Sequence, residues 1–171
     1  MTMLQAAEFW TYSLNLYAQR GVKPCCLQLQ DEFKLNVNIL LLCCYLNRLH
    51  ILLPLKGFTA LNKAIKDSDS QLRAMRKKRR KSKGTPAYRD LLQWEIQLEN
   101  QQQQEIVAIL NSQQLQNIQQ RQSDNLQAYV HSRYRSPPVN IVKYLSTLRE
   151  LASAGEMRQE NADPEQQFFE K

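Results

Sequence analysis

The sequence predicts an all-α protein, an irregular bundle of about six helices around a central apolar helix. Three observations predict it. The 171 residues include only four glycines and six prolines, and β-branched strand formers are sparse beside Leu, Gln, Ala and Glu, a balance that favours helix over sheet. Apolar residues recur three and four apart through much of the chain, the spacing that lines one face of a helix. One segment, Val37 to Leu49, is apolar nearly all round and so belongs in the middle, wrapped by the rest. A chain of this length with 43% hydrophobic residues buries a core without metal or disulfide staples.

The first helix is expected from Ala6 to Gln19, where Phe9, Ser13, Leu16 and Tyr17 share a face that Trp10 and Leu14 widen. Arg20-Gly21 ends it, because glycine takes the left-handed C-cap conformation cheaply. Pro24 stands where a first-turn proline is tolerated and opens a second helix to Phe33. Asn36 is the N-cap of the central helix. Pro54 and Gly57 predict an irregular, partly buried connection between Leu49 and Phe58. Thr59 then caps a long helix to Arg80, stepping through Leu61, Ile65, Ser68, Leu72 and Met75, with a break expected between Asp67 and Ser70.

Thr85-Pro86 reads as N-cap and first-turn proline of the next helix, which runs to Asn111. Thirteen glutamines lie between Gln93 and Gln127. Such a composition is prone to aggregation in a disordered chain, but the interleaved Leu and Ile favour a solvated helix. A further helix is expected from Ile118 to Tyr134, with Leu126, Tyr129 and Val130 inward. Ser136-Pro137-Pro138 breaks it, and a last helix covers Val139 to Ala152. The domain reading is a helical domain over residues 1–153 and a disordered acidic tail over 154–171.

Charge is concentrated in one place. Arg73, Arg76, Lys77, Lys78, Arg79, Arg80, Lys81 and Lys83 fall within eleven residues that hold no acid, and without these eight the net +7 of the chain would become −1. The high pI therefore describes a patch, not a generally basic surface. The start lacks a basic region followed by an apolar one, so no secretory signal is expected. The longest apolar run, Ile39 to Leu46, is eight residues, far short of the roughly 20 that span a bilayer. The cysteines form two adjacent pairs, Cys25-Cys26 and Cys43-Cys44, whose side chains diverge on a helix. A reducing, cytoplasmic setting is expected.

The stretch Phe9-Trp10-Thr11-Tyr12-Ser13-Leu14, then Leu16-Tyr17-Ala18, Gly21-Val22, Cys26-Leu27, Leu29-Gln30-Asp31 and Val37 to Cys43, resembles a family of uncharacterised gammaproteobacterial proteins, domain of unknown function 2390. The likeness is most specific over Phe9 to Leu46. It continues more weakly through Leu72-Arg73 and Trp94 to Glu99, and fades from Gln101. The resemblance implies a bacterial, helical, cytosolic protein and brings no activity, cofactor or catalytic residue.

Two candidate sites emerge from the residues. The first is a polar set, Gln30, Asp31, Asn36 and Asn38, flanking two apolar helices where side chains converge in a pocket. Against it, Asp31 can end a helix, Asn36 can cap one and Asn38 can satisfy nearby backbone. The second is the basic patch from Arg73 to Lys83, which meets phosphate on nucleic acid or a ribosome, or an acidic protein. A solvated charge run is the plain alternative. About five of these cations on duplex phosphates would give a log K against log salt slope of about −4.5. No aromatic residue interleaves with the run as single-strand stacking platforms do.

Other chemistry finds no support. Glu8, Glu32, Glu95, Glu99 and Glu105 suggest a di-metal carboxylate bundle, but such a site wants Glu-x-x-His on two helices. Neither His50 nor His131 follows a glutamate at that spacing, so solvated glutamates are expected. The cysteine pairs lack metal-ligand spacing, and no phosphate loop or nucleophile elbow occurs. No catalytic residue, metal or cofactor is assigned. The expectation is a non-enzymatic binding or adaptor protein, with a small-ligand binder or enzyme at the polar set as the alternative.

Overall fold

The computed structural model describes residues 2–113, 115 and 124–155. Among these the chain forms eight helices and no strand: α1 (Ala6–Ala18), α2 (Val22–Phe33), α3 (Val37–Arg48), α4 (Leu55–Ala64), α5 (Lys66–Lys81), α6 (Tyr88–Ser112), α7 (Asn125–Arg133) and α8 (Ile141–Gly155). The all-α bundle is as expected, with a somewhat higher helix count.

Central α3 is the anchor of the fold. Asn36 caps it as its sequence predicts, accepting from the Ile39 N–H at 3.1 Å. Every residue from Val37 to Leu46 is buried, beneath α1, α2, α6 and α7. Burying a side chain such as Leu40, Leu41 or Leu42 contributes about 1.5–3 kcal/mol relative to leaving it in water. Around this centre α2 packs on α8, α4 on α7 and α5 along α6.

Several boundaries differ from the sequence reading for local reasons. Gly21 adopts φ +90° as the residue entering α2, so Pro24 is the third residue of that helix. Asp31 lies inside α2, and Lys34 at φ 57° closes it. Helix α4 begins at Leu55, ahead of Thr59, whose hydroxyl instead bonds back to the Leu55 carbonyl at 3.0 Å. Gly57 permits this early start: a Cβ there would stand 2.6 Å from Leu53 Cδ1.

The expected long helix is divided at Ile65, a buried residue that ends α4 and precedes α5, and the break falls ahead of Asp67. Thr85 does not cap α6, because its hydroxyl donates to Ser82 O at 2.6 Å within a turn, and α6 starts at Tyr88. Asp124 caps α7, accepting from Gln127 N at 3.2 Å. The expected start of that helix at Ile118, and residues 156–171 of the expected acidic tail, lie outside the described residues. No helix among the described residues is long and apolar enough to cross a membrane.

Candidate functional site

Helix α5 turns one face of its basic run inward. Leu72 and Arg79 are buried and Arg76 is nearly so, at three- and four-residue spacing toward α6. Opposite them α6 presents Leu92, Glu95, Glu99 and Gln102 in the same phase. Arg79, 1% exposed, forms a hydrogen-bonded ion pair with Glu95 and reaches the Tyr88 hydroxyl at 3.4 Å. Burial opposes the charge on Arg79, but the hydrogen bond and charge of Glu95 outweigh it and move the pKa upward. Arg76 Nε stands 3.7 Å from the other Glu95 oxygen.

Two expectations are thereby corrected. Glu95 and Glu99 are not solvated: each is 2% exposed, because they continue the apolar phase of α6 and face guanidinium groups. The basic run is also not without acidic partners. Arg73 pairs with Asp69 at 2.8 Å, one helical turn back, and Arg80 approaches Asp31 at 3.7 Å. Among the described residues no carboxylate lies within 4 Å of Lys77, Lys78, Lys81 or Lys83. Lys77, Lys78, Arg80, Lys81 and Lys83 are exposed.

The α2–α3 turn carries the polar set. The Asn36 amide donates to Asp69 at 2.8 Å and to Gln102 at 3.0 Å, and the Asn38 amide donates to the same Gln102 oxygen at 2.9 Å. Gln102 donates to Ser68 Oγ at 3.1 Å, while Gln103 donates to Asn38 at 3.0 Å and to Ser13 Oγ at 3.0 Å. Tyr129 Oη accepts from the Asn36 N–H at 2.8 Å, and burial pushes its phenol well above the ordinary value, so it stays neutral. Four helices are thus tied through buried amides, the arrangement in which each polar group is satisfied by another. The Gln-rich part of α6 packs: Gln102 and Gln103 are buried, whereas Gln101 and Gln104 are exposed.

The polar set and the basic run line one cleft. A space of about 560 Å³ opens between the α2–α3 turn, α5 and α6, with Leu35, Val37 and Leu72 among its walls. Gln30, Asp31, Asn36 and Asn38 all reach it, as do Arg73, Arg76, Lys77, Arg80 and Lys81. Gln30, with its amide oxygen toward Arg76, accepts from both terminal guanidinium nitrogens at 3.1 and 3.2 Å. Lys78, Arg79 and Lys83 are not part of the lining. Lys34, Asp69, Glu99 and Gln102 also line the cleft, and sequence reasoning missed them. Glu99 and Gln102 carried a signal, since they lie on the helical phase that joins Leu92 to Ile106. Lys34 carried none.

Elsewhere the chemistry is structural. All four cysteines are buried free thiols, and burial raises the pKa of Cys43 and Cys25, which point at the carbonyls of Asn125 (3.4 Å) and Tyr144 (3.2 Å). His50 borders a smaller hollow of about 240 Å³ beside Arg149, which is tied to Asp124 at 2.7 Å. Among the described residues no three His, Cys, Asp or Glu side chains converge as a metal would need.

A family model described as a protein of unknown function (DUF2390) matches residues 8–106, more than half of the chain. No curated protein matches, and no solved structure does.

Proposed function

Because the chain belongs to the DUF2390 family, which brings no activity with it, we propose from its own surface that it is a non-enzymatic binding protein of the bacterial cytoplasm that docks on nucleic acid through the outer face of α5. One observation carries this reading. Lys77, Lys78, Lys81 and Lys83 stand exposed together at one end of α5 without a carboxylate within 4 Å among the described residues, and Arg80 beside them holds only a long, exposed contact to Asp31. Exposed pairs of that kind contribute little, so Arg80 is available to a phosphate as well. Buried Arg79 fixes the helix that carries them. Phosphates meet such a surface by releasing counterions, without any need for base-specific contacts. The four free, buried thiols agree with a reducing compartment.

Fluorescence anisotropy with labelled duplex DNA and single-stranded RNA tests the reading. Replacing Lys77, Lys78, Lys81 and Lys83 with Gln is expected to weaken binding about tenfold or more at moderate salt. Unchanged affinity sinks the proposal. Binding to a polyglutamate chain but to neither nucleic acid replaces it with an acidic-protein partner.

The alternative of a small-ligand site at the polar set keeps one specific support. The cleft at Gln30, Asp31, Asn36 and Asn38, about 560 Å³, falls within the size range of small-molecule sites, roughly 300–1,000 Å³.

A further inference from the structure

We propose that this cleft is a second site, one that takes a small phosphate-bearing molecule. The amides of Asn36, Asn38 and Gln102 are hydrogen-bonded to one another and to Asp69 and Ser68. They form a rigid floor, not a set of open donors. The groups still facing the space are cationic: Lys34, Arg73, Arg76, Lys77, Arg80 and Lys81 line it against Asp31, Asp69 and Glu99, three more positive charges than negative.

The acids do not cancel this excess. Asp69 is held by both Arg73 and Asn36 at 2.8 Å, and Asp31 meets Arg80 only at 3.7 Å on the surface. Arg76 is the fixed point of the site. Its side chain is 14% exposed: Nε is buried 3.7 Å from Glu95, and the two terminal nitrogens donate to Gln30 at 3.1 and 3.2 Å, each keeping a second N–H. A guanidinium fixed in this way holds its remaining terminal N–H groups in one plane, where a phosphate can accept from them. The concave wall concentrates the field of the surrounding cations in the space. Leu35, Val37 and Leu72 add apolar wall beyond the cations, enough for a ligand body larger than the phosphate itself.

The site adjoins the nucleic-acid surface and shares Lys77, Arg80 and Lys81 with it, but Lys34, Arg73 and Arg76 belong to the cleft alone, and Lys78 and Lys83 to the surface alone. Titration calorimetry with inorganic pyrophosphate, and separately with a mixture of the four ribonucleoside monophosphates, tests it on the full chain. The double variant Lys34→Gln/Arg73→Gln changes two exposed side chains, and thermal melting checks that it folds. The expected result is wild-type binding of pyrophosphate that falls about tenfold or more in this variant and stays unchanged in Lys78→Gln/Lys83→Gln. Tighter binding of the monophosphates than of pyrophosphate identifies a phosphate ester as the ligand; the reverse order identifies inorganic phosphate chains. Absence of pyrophosphate binding to the wild type overturns the proposal, and so does an equal loss in both double variants, which would mark a diffuse surface field. The second pair belongs to the nucleic-acid face alone, so loss of nucleic-acid binding there with pyrophosphate binding intact separates the two readings.

Discussion

Arg79 and Glu95 determine how a strongly basic helix lies against an acidic one, α6, which carries Arg89 against Asp90, Glu95, Glu99 and Glu105. Their ion pair is buried on both sides, and burying two charges costs desolvation that only good geometry and further hydrogen bonds offset. Tyr88 supplies one such bond, and Arg76 gives Glu95 a second cation. Glu95→Gln removes the only carboxylate that Arg79 pairs with among the described residues. We expect it to destabilise the protein by about 3–5 kcal/mol in urea denaturation. Arg79→Met should cost less, because Glu95 would keep Arg76. Equal stability of Glu95→Gln and wild type would contradict this account. The pair was hidden from the sequence because Glu95 reads as one more polar residue in a glutamine-rich helix. Only the continued phase from Leu92 to Ile106 places it inside.

At the scale of elements, α3 and α6 differ in how openly their sequences announce them. The central helix is legible because Val37 to Leu46 has no polar side and Asn36 stands at the position a cap requires. Asn36 has a second role, however, since its amide reaches Asp69 and Gln102 from other helices. Local pattern cannot reveal a bond between residues 66 positions apart. Asn36→Ala should therefore cost more than the roughly 1 kcal/mol of a lost cap, reaching about 2 kcal/mol once the stranded acceptors are included. Thermal unfolding measures it, and a loss no larger than that of an ordinary cap would mean the amide bonds add nothing. In α6 the composition pointed toward solvent, yet Gln102 and Gln103 are core residues. The reason is again helical phase: adjacent glutamines point in different directions, and two of the four in the run meet α1, α3 and α5.

Over the whole molecule, the two candidate sites inferred separately from sequence occupy one side of the bundle. The break at Ile65 lets α5 run against α6 and past the α2–α3 turn, so that its three sides serve three purposes. The inner side holds Arg79 against Glu95. A second side lines the cleft with Arg73 and Arg76. The outer side leaves Lys77, Lys78, Arg80 and Lys81 in water, with Lys83 just past the helix end, and of these Lys77, Arg80 and Lys81 also edge the cleft. The sequence identified the basic run but not this division, because assigning faces requires knowing which neighbour each turn meets.

The central claim is that the outer side binds nucleic-acid phosphates, and the salt dependence of binding to duplex DNA tests it most directly. Five exposed cations in contact predict that log K falls with log salt at a slope of about −4.5 between roughly 50 and 200 mM. A slope near zero, or no measurable binding at the low-salt end, would contradict it.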